Sequence, residues 1–153
     1  MGFEIEKKYL VNKIPFDLEN FQRKEIIQSY ISTDPIIRLR KIDDNYVLTV
    51  KGDGHIKRQE FELMLTKEQY ISLILKTENL TIKKTRYFIQ LSNNLVAELD
   101  IYHDNLKDLV TVEVEFSSME DANKFSPPHW FGDDVSQNTR YKNSFLSKYG
   151  YKK

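Results

Sequence analysis

The chain has 153 residues, 40% hydrophobic and 30% charged, which suits one folded soluble domain with a substantial core. Its 23 Lys and Arg balance 23 Asp and Glu, so no net field draws it to nucleic acid or to a membrane surface. It has no cysteine, which excludes disulfides and thiol chemistry, and no apolar run near the roughly 20 residues of a membrane span. The charged N-terminus does not read as a signal peptide, and the cytoplasm is the default location.

In chain order, the first strand is predicted over 3–11, followed by a short helix within 16–23. Strands follow at 25–33, 36–42, 45–51 and 56–64, joined by turn residues such as Asp43-Asp44-Asn45 and Gly52-Asp53-Gly54. The Thr66–Gln69 stretch reads as a capping box opening a helix to about residue 76. Strands at 83–91, 95–102 and 109–117 come next, with Asn93-Asn94 and Asp104-Asn105 between them. Ser117–Glu120 opens another helix, with Ala122 and Phe125 on its apolar side. After an irregular Pro-Pro-His-Trp-Phe-Gly stretch, a last helix is expected over 137–149, with Tyr141, Phe145 and Tyr149 at spacing four and Gly150 as its cap. The whole of 1–153 reads as a single, mainly β (α+β) domain: an eight-stranded antiparallel β-barrel with helices packed outside.

The strands share one peculiarity. Residues i and i+2 of a strand lie on one face. That face carries Glu4, Glu6 and Lys8, then Arg38 and Arg40, Lys51, Arg58, Glu60 and Glu62, Lys84 and Arg86, Glu98 and Asp100, and Glu113 and Glu115. The alternate residues are mainly apolar. A single strand of this kind fits a solvated outer face. Repeated on strand after strand, with like charges side by side, it points to an inverted arrangement in which apolar faces meet the helices and charged faces line a wet tunnel. Buried ions cost several kcal/mol unless paired or liganded. Carboxylates offer the hard oxygens that Mg²⁺ or Mn²⁺ prefers, and Arg and Lys bind phosphate. A metal–polyphosphate complex would satisfy both walls.

These residues also resemble a known family. The Glu4-x-Glu6-x-Lys8 segment resembles the N-terminal signature of the CYTH superfamily, the triphosphate tunnel metalloenzymes. Its companions occur in order: RLR at 38–40, LTVK at 48–51, RQEFE at 58–62, KTRY at 84–87, ELD at 98–100, VEVEF at 112–116 and RYKN at 140–143. The likeness covers essentially the whole chain and is greatest to the compact bacterial, inorganic triphosphatase-like branch. It implies a barrel-shaped tunnel and hydrolysis of triphosphate compounds with a divalent metal. It implies metal ligands at Glu4, Glu6, Glu113 and Glu115, and phosphate contacts from Arg38, Arg40, Lys51, Lys84 and Arg86. Lys8 would sit near the reacting end, making Glu4, Glu6 and Lys8 the catalytic set, and Arg140 matches a further basic position. Two departures are a Ser in QSYI, where relatives commonly carry Gly, and Asp104 in place of a turn Gly.

The expected reaction is hydrolysis of inorganic triphosphate or a related compound by a metal-activated water. Thiamine, nucleoside or RNA triphosphatase and adenylate cyclase are alternatives within the enzymes, and a polyphosphate- or nucleotide-binding module is the non-enzyme alternative. Paired carboxylates would repel the ligand of a pure binder. Glu62 and Asp100 are second-choice ligands that serve equally as partners for tunnel cations. Glu98 belongs to the same face without an assigned role. Arg58 and Glu60 read equally as site residues or as a cross-strand ion pair, and Tyr30 as either a substrate contact or a tunnel plug. His55, His103 and His129 have neither metal-site nor triad spacing. Trp130 and Phe131 are expected to clamp the last helix. The partner is a small polyphosphate rather than nucleic acid or membrane, and pairing with a second copy as a homodimer stays open.

Overall fold

The structure is a computed structural model, described for residues 2–152. Eight antiparallel strands close into a barrel: β1 (Gly2–Leu10), β2 (Gln22–Thr33), β3 (Ile36–Ile42), β4 (Asn45–Lys51), β5 (Lys57–Leu65), β6 (Glu78–Gln90), β7 (Val96–Tyr102) and β8 (Val110–Glu115). The order around the barrel is β1-β5-β4-β3-β2-β6-β7-β8, with β8 returning to β1. Strands β2 and β6 begin earlier than their sequence pattern suggests, and they pair along most of their length.

Three helices, α1 (Lys67–Ile74), α2 (Met119–Lys124) and α3 (Asn143–Tyr149), accompany the strands. The expected capping box is present: the Thr66 hydroxyl accepts from the Gln69 N–H, and the Gln69 side chain accepts from the Thr66 N–H. The helix expected within 16–23 is only a 3₁₀ turn, Leu18–Asn20. The helix expected over 137–149 is broken. Thr139–Tyr141 form a 3₁₀ turn capped by Asn138, Lys142 is extended, and α3 starts after it. Gly150 ends α3 at φ 75°, donating to the Leu146 carbonyl.

The apolar outer face is covered unevenly. Outward residues of β1 and β6–β8, including Tyr9, Leu99, Val112 and Val114, pack beneath α2 and the Phe16–Trp130 region. Trp130 stacks edge-on against Phe16, and Phe131 lies 5.0 Å from Tyr9. These two rings hold the segment after β1, and α3 belongs to a different cluster. Phe3, Phe61 and Leu63, on the outer face of β1 and β5, remain exposed.

Helix α3 closes one end of the barrel. Its Leu146 packs against Tyr30, Ile82 and Tyr102, and its Ser147 hydroxyl donates to the Leu80 carbonyl at 2.6 Å. Tyr102 donates to Asn143 at 2.7 Å, and Lys142 donates to the Gly54 carbonyl at 2.8 Å. Gly54 sits at φ +129°, and a Cβ there would collide with the Lys57 carbonyl, so this turn requires glycine.

Candidate active site: a charged tunnel

The closed sheet has one inner face, and strand parity decides what enters it. A cavity of about 270 Å³ runs inside. Its wall includes Glu4, Glu6, Lys8, Arg38, Arg40, Lys51, Arg58, Glu60, Glu62, Lys84, Arg86, Glu98, Glu113 and Glu115. Tyr30 lines it too. Asp100 lies fully buried behind the wall, under Lys84 and Arg86. Arg140 is outside: it belongs to the 3₁₀ turn and lines an external groove. Two residues that motif reasoning left aside, His55 and Lys142, line the cavity instead. Lys142 was detectable only through the break before α3, since a continuous helix would display Arg140 and Lys142 differently.

The charges fall into three groups. In the first, cations are locked by carboxylates. Arg86 donates to both oxygens of Asp100, at 2.7 and 2.8 Å, and reaches Glu98 at 2.5 Å. Lys84 shares the Asp100 Oδ2 with Arg86, at 2.9 Å, and stands 5.4 Å from the Tyr102 ring centre. Burial opposes ionisation of Asp100, but Arg86 and Lys84 outweigh it and hold the carboxyl below its usual range. Lys84 itself is brought down to about 8 by burial, with Asp100 resisting.

The second group joins β1 to its neighbours. Lys51 donates to both Glu4 oxygens, at 2.8 and 3.0 Å, and approaches Glu60 at 3.5 Å. Arg58 approaches Glu4 at 3.6 Å. Arg58 and Glu60 therefore do not pair with each other; each pairs with a neighbouring strand, because their side chains diverge toward β1 and β4. Lys8 donates to the Tyr141 carbonyl at 2.7 Å and lies 3.8 Å from Glu113.

The third group has no ion pair among the described residues, and Glu62 is the carboxylate that acts on Arg40 from a distance. Among the described residues, Arg38 and Arg40 make no ion pair, and the Nε of each is buried without a hydrogen-bond partner. Arg38 finds only the Thr49 hydroxyl, at 3.4 Å. Burial, with Arg38 and Arg86 nearby, pulls Arg40 down to about 10. In the barrel order β3 stands four places from β8, so these guanidiniums face the Glu113–Glu115 strand across the bore. Tyr30, paired in register with Arg38, accepts from Gln28 at 3.1 Å.

The acidic wall is frustrated in the opposite sense. Glu6 pairs in register with Glu115, and Lys8 with Glu113. Burial and then the charges of Glu113 and Glu4 push Glu6 well above the usual carboxylate range. Burial also raises Glu98 and Glu115, and it carries Glu60, next to Glu4, up to about 7. Glu4 is opposed by burial yet drops to about 2 because of Lys51, its hydrogen bonds and Arg58. Glu113 is opposed by burial and is lowered by Lys8, Arg86 and Lys84, although one of its oxygens lacks a hydrogen-bond partner. Among the described residues, no three carboxylates or histidines form a ready metal cage. Yet Glu4, Glu6, Glu113 and Glu115 supply hard oxygen donors, with Glu6 and Glu115 disfavoured as anions by burial and by their carboxylate neighbours, and this donor chemistry fits a divalent cation.

No family model matches. An inorganic triphosphatase of Nitrosomonas europaea is 40% identical over 147 residues, covering 94% of this chain and 96% of the relative. An inorganic triphosphatase of Acetivibrio thermocellus is 33% identical over 99% of this chain and 97% of its own. Among solved structures, an inorganic triphosphatase superposes with a TM-score of 0.69 at 36% identity, covering 96% of this chain and 95% of that one. A Hippeastrum protein with dominant triphosphatase activity has a TM-score of 0.59 at 13% identity, covers 80% of this chain and 83% of its own, and shares the fold alone. With its motifs, its closed charged barrel and this coverage, the chain belongs to the inorganic triphosphatases of the CYTH superfamily.

Proposed function

We propose that the tunnel hydrolyses inorganic triphosphate, using Mg²⁺ or Mn²⁺ held at the acidic wall. The observation that carries this reading is the Arg38–Arg40 pair, without an ion pair among the described residues and facing a carboxylate strand. One buried and one half-buried guanidinium, each with its Nε buried and without a hydrogen-bond partner, are costly, and a polyphosphate chain supplies anionic oxygens in bidentate form. The names of the relatives at 40% and 33% identity support the same substrate class.

Arg38 and Arg40 bind phosphate oxygens, joined by Lys51, Lys84 and Arg86. Asp100 positions the last two. Lys8, steered by the Tyr141 carbonyl and Glu113, addresses the terminal phosphate. Lys142 adds a further cation beside Arg58 and Lys51. Glu4, Glu6, Glu113 and Glu115 hold the divalent ion. When bound, that ion neutralises phosphate oxygens and makes a coordinated water more acidic. Water adds to the terminal phosphorus as the bond to its bridging oxygen breaks, giving orthophosphate and diphosphate. The cations lining the bore stabilise charge as it shifts onto the leaving oxygen. No covalent intermediate is needed.

The test is phosphate release from tripolyphosphate, ATP and thiamine triphosphate, with Mg²⁺, with Mn²⁺ and with chelator. The expected result is release greatest from tripolyphosphate and abolished by chelator. Binding without release under every condition would make the tunnel a binding module, and preference for an organic triphosphate would reassign the substrate.

A further inference from the structure

Of the aromatic residues at spacing four, Phe145 and Tyr149 have no part in the tunnel chemistry, and Tyr141 enters it only through its backbone carbonyl. Together with Tyr151 they line an external groove of about 420 Å³, a size suited to a small organic ligand. Phe145 and Tyr149 stack 4.5 Å apart, Tyr141 and Tyr151 lie 6.3 Å apart, and Tyr149 is 58% exposed. Arg140 and Lys152 also line the groove, and among the described residues no carboxylate side chain does. Neither makes an ion pair among the described residues. Aromatic faces accept a planar ring, and unopposed cations accept phosphate.

We propose that this groove is a second site, distinct from the tunnel, that binds a nucleoside monophosphate. Its ring packs against the exposed Tyr149 and the half-buried Tyr141, Phe145 and Tyr151, and its phosphate meets Arg140 and Lys152. Asn138 and Tyr141 wall both cavities, so the bound nucleotide lies against the segment whose carbonyl holds Lys8.

Calorimetric titration of AMP into the full chain, with chelator and saturating tripolyphosphate present, tests the site independently of turnover. AMP is expected to bind under these conditions. Binding should weaken about tenfold or more in Tyr149→Ala and in Arg140→Ala, as loss of a base stack or a charged phosphate contact predicts. Both residues lie on the surface, so both variants should fold. Arg40→Ala, a tunnel change, should leave AMP affinity as it is. Ribose 5-phosphate, which lacks the base, should bind more weakly than AMP. Absence of AMP binding, full competition by tripolyphosphate, unchanged affinity in both groove variants, or equal affinity for ribose 5-phosphate would each overturn the proposal. Failure of the hydrolysis assay would leave these outcomes unaffected.

Discussion

Strands β3 and β6 each aim two cations into the same bore, two residues apart, yet their circumstances are opposite. Lys84 and Arg86 on β6 are locked to Asp100 and Glu98, while Arg38 and Arg40 on β3 make no ion pair among the described residues. The difference comes from the neighbours. Strand β6 lies beside β7 with its ELD segment, whereas β3 lies between β2 and β4, which present Gln28, Tyr30, Thr49 and Val47 to it. A cation whose partner is built in maintains the wall as well as meeting phosphate, and one without an ion pair depends on the ligand for its partner. Stability and substrate affinity should therefore separate along these two strands.

The largest expected effect is on the locked side. Asp100→Ala leaves two buried cations without their shared partner and should cost about 3–5 kcal/mol in denaturant unfolding. A loss below about 1 kcal/mol would mean that β6 is no more committed than β3.

Next comes the free side. Arg40→Ala should lower kcat/KM for tripolyphosphate by about 10- to 100-fold, mostly through KM, as loss of a charged hydrogen bond predicts. Its folding stability should hold or rise, because an unpaired buried charge is removed. A large stability loss with unchanged KM would reverse the assignment of the two strands.

A smaller effect follows from the acidic wall. Glu6, Glu60, Glu98 and Glu115 have pKa values raised by folding, so the folded state binds more protons than the unfolded chain above the usual carboxylate range. Their stabilising contribution is complete below about pH 4.5 and is lost as pH rises through the raised values, about 7 for Glu60. Glu4, Asp100 and Glu113 act oppositely, losing their contribution only as pH falls through their depressed values. In chelator, the thermal midpoint should decline from pH 5 to pH 8, and Mg²⁺ should flatten that decline. A midpoint independent of pH and Mg²⁺ would contradict the frustrated acidic wall.

The smallest effect is a control far from both strands. Thr66→Ala removes the α1 cap and should cost about 1 kcal/mol of stability with kcat/KM unchanged. A catalytic defect would show that the bore is not insulated from the outer helices.

Much of this contrast is legible in the sequence, because parity alone sends Arg38 and Arg40, Glu113 and Glu115 to one face. The sequence also names Asp100 as a candidate partner for cations, but not which cations, since that depends on strand adjacency. Arg140 and Lys142 exchange prominence for a local reason. Tyr141, Phe145 and Tyr149 imitate one continuous helix, and the extended backbone at Lys142 breaks it. Trp130 and Phe131 follow a similar lesson: two aromatic rings signal packing, but only the tertiary fold gives them Phe16 and Tyr9 as partners.

The most direct measurement is a crystal structure with unhydrolysed tripolyphosphate. The account predicts phosphate oxygens within hydrogen-bond distance of both Arg38 and Arg40, inside the closed bore and facing β8. A tripolyphosphate bound elsewhere, with those two guanidiniums untouched, would contradict it.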